Sequence, residues 1–235
     1  MIQNQADKIV SRAKGAGRAA LDESAGKALL AGYGIRVPQS RVAKGVADVD
    51  DVMKGLQVPV VVKVMSPDIL HKSDAGGVKI NLRSAAEVKA AIEGMLAAPK
   101  IKGARIEGFL VEEMAPSGHE LVIGGLRDPQ FGPLVMVGLG GIFVEIFKDV
   151  SFRLCPISRI DAEEMLDGLK AAAILKGARG GKPASREAII EVLMKIGGED
   201  GLLLKHAADI SEADINPLIV SETGAVAVDA RFILG

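Results

Sequence analysis

One cysteine, one tyrosine and no tryptophan occur in a chain of 235 residues, and aromatic residues make up only 3% of it. Cys155 has no second cysteine to close a disulfide with, which excludes a disulfide scaffold and points to a reducing compartment. It lies in SFRLCPI, with no acid or histidine within three residues, so it reads as a structural thiol rather than a nucleophile. The formal net charge is −1, from 29 basic and 30 acidic side chains, and no run of like charges occurs. Without a basic patch or stacking aromatics, a nucleic-acid surface is not expected. The longest uncharged apolar run, Gly132 to Val144, falls short of the ~20 residues of a spanning helix, so no membrane segment is expected. MIQNQADKIVSRAK has no apolar signal region, and the expected location is the cytoplasm. What is abundant is hydrophobic residues, at 49%, and glycine, with 28 residues. A chain this long buries about 70–75% of its unfolded surface. So many glycines in a charge-balanced chain suggest backbone brought close to a ligand, commonly a phosphate.

The spacing predicts a helix over 6–32, interrupted near Gly15 to Gly17 and stopped at Tyr33-Gly34. A short helix is expected over 47–56 and strands at VVVKV and VKINL, with the polar loop SPDILHKSDAGG between them. Ser84 and Glu87 form a capping-box pattern that starts a helix through Met95. Four strands then follow in GFLVEEM, HELVIGGLRD, GPLVMVGLG and FVEIFKDVSFRLCPI. Asp161 with Glu164 is read as a helix cap, Ser185 as the start of a helix to Lys195, and INPLIVSETGAVAVDARFIL as a hairpin. The order is not the alternation of a doubly wound sheet or TIM barrel. The fold class expected is α+β, with two lobes. The expected divisions are a helical lead-in over 1–21, a first lobe over 22–100 and a second over 101–235, the boundary falling near 97–105.

Five stretches carry candidate chemistry. In the last hairpin, a turn at Ser221 to Gly224 puts Val220 opposite Ala225 and, continued, Asn216 opposite Asp229. Such opposed residues have Cβ atoms about 4.5–5.5 Å apart. An amide and a carboxylate oxygen so placed can share a hard cation such as Mg²⁺, with Asp214 in support on the same face. Ordinary strand-end polarity accounts for the same residues, and a three-residue loop would break the pairing. Lys63, in an apolar strand, needs an anionic partner such as phosphate, or else an edge position or a route to water. Gly76 and Gly77 allow successive N–H groups to cradle an anion. His71 in the same loop is either a loop histidine or a nucleophile toward phosphorus. Glu112, Glu113 and Glu120 flank a strand end that can read an adenine edge and ribose hydroxyls, or simply face solvent. VMVGLGGIFV lacks the third glycine of a dinucleotide-binding turn, Phe143 standing in its place, and a Rossmann reading fails. His119 and His206 read as structural.

The order of these features resembles an ATP-grasp fold, with nucleotide bound between its two lobes. More narrowly, it resembles the β subunit of ADP-forming (NDP-forming) acyl-CoA synthetases, in the succinyl-CoA synthetase superfamily. The resemblance lies in PVVVKVMSPDILHKSDAGGVKINL, in GFLVEEMAPSGHELVIGGLRDPQFGPLVMVGLGGIFVEIFKDVSFRL, and in DINPLIV with VDAR. It implies that Lys63 contacts the α- and β-phosphates of ATP or ADP and that the Gly76–Gly77 loop covers them. The stretch from Glu112 to Met114 forms the adenine hinge, and Glu120, eight residues after Glu112, holds the ribose. Asn216 and Asp229 hold Mg²⁺, Arg127 neutralises phosphate charge, and His71 becomes the catalytic phosphohistidine. It further implies the reaction acid + CoA + ATP = acyl-CoA + ADP + phosphate. The acyl site would lie on a CoA-binding α subunit, making a hetero-oligomer. The alternatives are an ATP-binding regulatory module and another ATP-grasp carboxylate ligase.

Overall fold

A computed structural model gives the fold and describes residues 2–69, 72–141 and 148–235. The chain opens with α1 (Ile2–Gly15), β1 (Ala20–Leu21) and α2 (Glu23–Gly32). The helix expected over 6–32, interrupted near Gly15 to Gly17, is two helices with β1 between them. Gly17, at φ +66°, turns the chain so that β1 pairs with a strand at the C-terminal end. A compact unit of residues 38–115 follows, built from β2 (Ser40–Ala43), α3 (Val49–Val52), β3 (Val60–Met65), β4 (Val78–Leu82), α4 (Ala85–Ala97) and β5 (Gly108–Glu113). Residues 1–37 and 116–235 make the second unit. After α2 it holds β6 (His119–Asp128), β7 (Gly132–Leu139), β8 (Val150–Leu154), α5 (Arg159–Asp167), α6 (Ala172–Leu175), α7 (Arg186–Gly197) and α8 (Leu202–Lys205). It ends with β9 (Ile210–Ser221), β10 (Gly224–Ala227) and β11 (Arg231–Leu234).

This division corrects the expected boundaries. β5 pairs with both β2 and β3, so the small unit closes after residue 115 rather than near 97–105. Residues 1–21 are no separate lead-in, because α1 and β1 belong to the large unit. Of the four successive strands, the first lies in the small sheet and three in the large one; residues 142–147 of the fourth stretch lie outside those described.

In the small unit the antiparallel order is β2-β5-β3-β4. Val60, Val62 and Val64 alternate onto a core with Val88, Ile92 and Met95 of α4, as a half-buried strand dictates. Val61 and Lys63 therefore face the other way. Ser84 caps α4 through the Glu87 N–H at 3.2 Å. The return bond of the capping box goes one residue astray, because the Glu87 carboxylate accepts from the N–H of Arg83.

The large sheet runs β1-β11-β9-β6-β7-β8, with β10 also on β9. Its inner face packs Leu121, Ile123, Val135, Val137, Ile215 and Leu218 against α5, α7 and α8, through residues such as Met165, Leu193 and Leu202. Ser185 caps α7 as expected. Ser158, not Asp161, caps α5; Asp161 is the third helical residue and closes a capping box back to the Ser158 N–H at 2.7 Å. Cys155 is half-buried, and burial pushes its thiol up to about 11, as an unreactive structural position requires. His119 is held by the Lys182 carbonyl, 2.7 Å from Nε2.

His206, 3% exposed, packs edge-on against Tyr33 with ring centroids 5.9 Å apart. Burial lowers its pKa from the ordinary 6.5, against opposing pulls from Asp7 and Asp209. The neighbouring Tyr33 hydroxyl is pushed up to about 12, by burial first and the Asp7 charge second. An imidazole held neutral in the folded state binds its proton more readily when unfolded. Stability is therefore expected to fall as pH drops below about 6.5. Urea midpoints from pH 7.5 to 5 check this, and His206→Gln should flatten that slope.

Candidate functional site

Lys63 finds its anionic partner inside the protein. On β3 it lies opposite Leu110, while Glu112 lies opposite Val61, which makes Lys63 and Glu112 diagonal neighbours on one sheet face. Such diagonals are within reach of long side chains. The Lys63 ammonium sits 2.6 Å from Glu112 Oε1, with side chains 8% and 0% exposed. Glu112 is therefore not at a solvated strand end. Its carboxylate is the buried counter-charge that lets a lysine occupy an apolar strand.

The stretch expected to read adenine is partly committed to the protein itself. The Glu113 N–H donates to Gln39 O at 3.0 Å and the Met114 N–H to Pro59 O at 3.2 Å. The Glu113 carboxylate takes the N–H of Gln57. A base edge docking here would meet the Met114 carbonyl rather than its N–H.

His71 lies outside the described residues. Residues 72–77 after it are folded tightly. Gly76 sits at φ +77°, in the left-handed region. Gly77 abuts β3 so closely that a Cβ there would collide with Val64 Cγ1. Its carbonyl accepts the Val64 N–H at 2.8 Å. The N–H groups of Gly76 and Gly77 donate to Ser73 O and Lys72 O at 3.0 and 2.7 Å. The expected cradle of successive free N–H groups at these two glycines is thus corrected: both amides turn inward and close the loop.

In the large unit, Glu120 stands exposed on β6 opposite Ile219. The backbone behind it is fixed, since its carbonyl accepts the Gly140 N–H at 2.7 Å. Arg127 belongs elsewhere. Seven residues along β6, about 24 Å from Glu120 at strand rise, its guanidinium donates to Ala207 O at 2.8 Å. A role for it on phosphate is not supported.

The hairpin register is the one the turn arithmetic requires. β10 pairs Gly224 with Ser221 and Ala227 with Leu218. β11 resumes the same register along the same strand, with Arg231 opposite Asp214 and Phe232 opposite Ala213. Between them the strand breaks at 228–230, facing Asn216 and Pro217, and β9 shifts register against β6 at the same point. The Asn216 N–H donates to Asp229 O at 3.3 Å, and Val228 N–H to Pro217 O at 3.0 Å. Asn216 and Asp229 are thus joined through their backbones, with Asp214 two residues before Asn216 on the same strand. The Asp214 carboxyl is held above the ordinary carboxylate range, by burial first, then by Asp229 and Glu212, with Arg231 pulling it back. An exposed amide beside two mutually repelling carboxylates suits a hard cation. Among the described residues no group of three or more His, Cys, Asp or Glu could hold a metal, so the donor set here needs the Asn216 amide. Arg231 was missed in the sequence, although the same register places it opposite Asp214.

Residues 12–234 match the family model described as an ATP-grasp domain. The chain is 44% identical over 232 residues to acetate–CoA ligase [ADP-forming] I subunit beta of Pyrococcus furiosus, covering 98% of each. It superposes with a TM-score of 0.89, at 44% identity and 97% and 99% coverage, on a Ca. Korarchaeum cryptofilum dinucleotide-forming acetyl-coenzyme A synthetase in complex with coenzyme A and Ca-AMPCP. A second structure of that synthetase, with Mg-AMPPCP and its phosphohistidine segment pointing towards the nucleotide-binding site, gives a TM-score of 0.82 at 42% identity, covering 98% of this chain and 100% of that one. The chain spans nearly all of the Pyrococcus subunit, but only 30–31% of longer single-chain relatives. Among the described residues no helix is long and apolar enough to cross a membrane.

Proposed function

Because the chain belongs to the ATP-grasp family and, within it, to the beta subunits of ADP-forming acyl-CoA synthetases, we propose that it binds ATP with Mg²⁺ and moves the γ-phosphoryl group between nucleotide and histidine. The observation that carries this reading is the Asn216 N–H bonded to the Asp229 carbonyl, near an Asp214 whose carboxyl is raised by burial first and by the Asp229 charge second. Asn216 and Asp229 would hold Mg²⁺, which neutralises charge on the phosphate oxygens when bound. In the small unit, Lys63 would turn its ammonium toward the α- and β-phosphates, sharing it with Glu112. Positioned cationic groups of this kind are the principal source of phosphoryl-transfer catalysis. The Gly76–Gly77 loop would close over the phosphates by shape. The Met114 carbonyl would face the adenine, and the exposed Glu120 carboxylate would accept from the ribose hydroxyls.

His71 would be the phosphoryl carrier. The bond between the γ-phosphorus and the β–γ bridging oxygen breaks as a bond to an imidazole nitrogen forms, and ADP leaves with the bridging oxygen. The acyl site would lie on a CoA-binding α subunit. Relatives that hold this segment as about a third of one long chain support that reading, since the remainder is available for it. The cell compartment proposed is the cytoplasm.

Incubation with γ-labelled ATP and Mg²⁺ is expected to give acid-labile label on the chain, absent in His71→Ala. Tight ATP binding without label transfer, even beside a cognate α chain, would remove the phosphocarrier role.

A further inference from the structure

A buried ion pair and an interior glycine lie together on α2. Glu23 and Lys27 form an ion pair at 2.8 Å with both side chains 3% exposed. Gly26 sits between them in the helix. Positions three and four apart share one helical face, so Glu23, Gly26 and Lys27 look the same way. What Gly26 faces is the chain just after Asp229: a Cβ built on it would lie 2.9 Å from Ala230 O and 3.3 Å from the Phe232 ring. The approach is fixed at the start of the helix as well. β1 pairs Ala20 and Leu21 with Ile233 and Phe232, and Asp22 caps α2 through the Ala25 N–H at 2.9 Å. Residues 20–26 therefore run along 230–233, strand first and then helix face.

Stability alone does not account for this face. Glycine inside a helix is unfavourable relative to alanine, and a buried ion pair is commonly matched or bettered by apolar residues of similar volume. Both features do suit one requirement, which is to hold a particular peptide at a particular place.

We propose that Glu23, Gly26 and Lys27 are positioning residues for Asp229. They buttress the Asp229–Ala230 peptide so that the carboxylate stands opposite Asn216, and they thereby set the Mg²⁺ affinity. The inference rests on the reading of Asn216 and Asp229 as the metal site. The role assigned to the charge pair is indirect: it fixes the helix face on which Gly26 meets Ala230.

The test is ADP binding to the full chain, followed by calorimetry over a Mg²⁺ titration well below the melting temperature. The main variant is Glu23→Leu with Lys27→Met, which removes both charges and leaves no unpaired ion to unfold the helix. Gly26→Ala is the second, with both charges kept. Each is expected to weaken the Mg²⁺ dependence tenfold or more, in the range found for residues that orient metal ligands, while ADP binding without metal stays unchanged. In an Asp229→Asn background the same substitutions should add nothing, because residues acting through one group are not additive. Wild-type Mg²⁺ affinity in both variants would overturn the inference, even with a lowered melting temperature. Mg²⁺-independent ADP binding by the wild-type chain would instead overturn the metal site itself.

Discussion

Lys63→Met is expected to abolish tight nucleotide binding and to destabilise the small unit, and the two effects can be separated. Removing the ammonium leaves Glu112, fully buried, with its counter-charge gone. Breaking a buried pair in this way costs about 3–5 kcal/mol. That figure alone says nothing about nucleotide, because any structural lysine in this position would behave alike. The informative variant is Lys63→Met with Glu112→Leu. Both charges leave, two apolar residues fill a face that already holds Val61 and Leu110, and stability should recover most of the loss. Nucleotide affinity should not recover. Truncating one partner of a hydrogen-bonded charge pair costs about 2–5 kcal/mol, or on the order of 10²–10³ in affinity. Urea denaturation and ADP calorimetry on the two variants measure the two quantities. A double variant that binds ADP like the wild type would reduce Lys63 to a structural partner of Glu112.

What was legible in the sequence was mostly local. Ser84, Ser185 and the Ser221–Gly224 turn act within a few residues, and each is where its side chain or spacing requires. The hairpin is the strongest case. Two-residue periodicity carries a turn's register along both strands, so Asn216 opposite Asp229 follows from counting, and so does Arg231 opposite Asp214. The misses are non-local. β5 joins β2 and β3, strands from earlier in the chain, and no spacing in GFLVEEM announces that choice; the unit boundary and the burial of Glu112 both follow from it. The amides of Gly76 and Gly77 turn inward because carbonyls of their own loop compete for them, which composition does not reveal. Glu23 and Lys27 did leave a signal, an acid and a base four apart in the apolar helix ESAGKALL. At that spacing a solvated surface pair is the ordinary reading. The burial of both side chains shows otherwise.

Asp229→Asn is expected to separate metal binding from folding even more cleanly. The substitution keeps the side-chain oxygen that accepts the Ala230 N–H at 2.8 Å, so the local turn survives. It also leaves the backbone bond to Asn216 intact, since that uses the Asp229 carbonyl. What it removes is one negative charge. A cation held there loses a charged oxygen ligand, and Mg²⁺-dependent nucleotide affinity should drop by on the order of 10²–10³-fold, as for other truncated charge pairs. The metal-free protein should respond in the opposite sense. Asp214 has its carboxyl raised first by burial and second by the Asp229 charge. A carboxyl whose pKa is higher folded than unfolded costs stability as pH rises upward from its ordinary 3.8. Deleting the Asp229 charge lessens that cost, and the part due to burial stays. The decline in stability that Asp214 causes above pH 4 should therefore be shallower in metal-free Asp229→Asn. A purely structural Asp229 would leave nucleotide binding responding to Mg²⁺ as before. Denaturation midpoints from pH 4 to 8 with chelator present, beside ADP titrations at fixed Mg²⁺, decide between them.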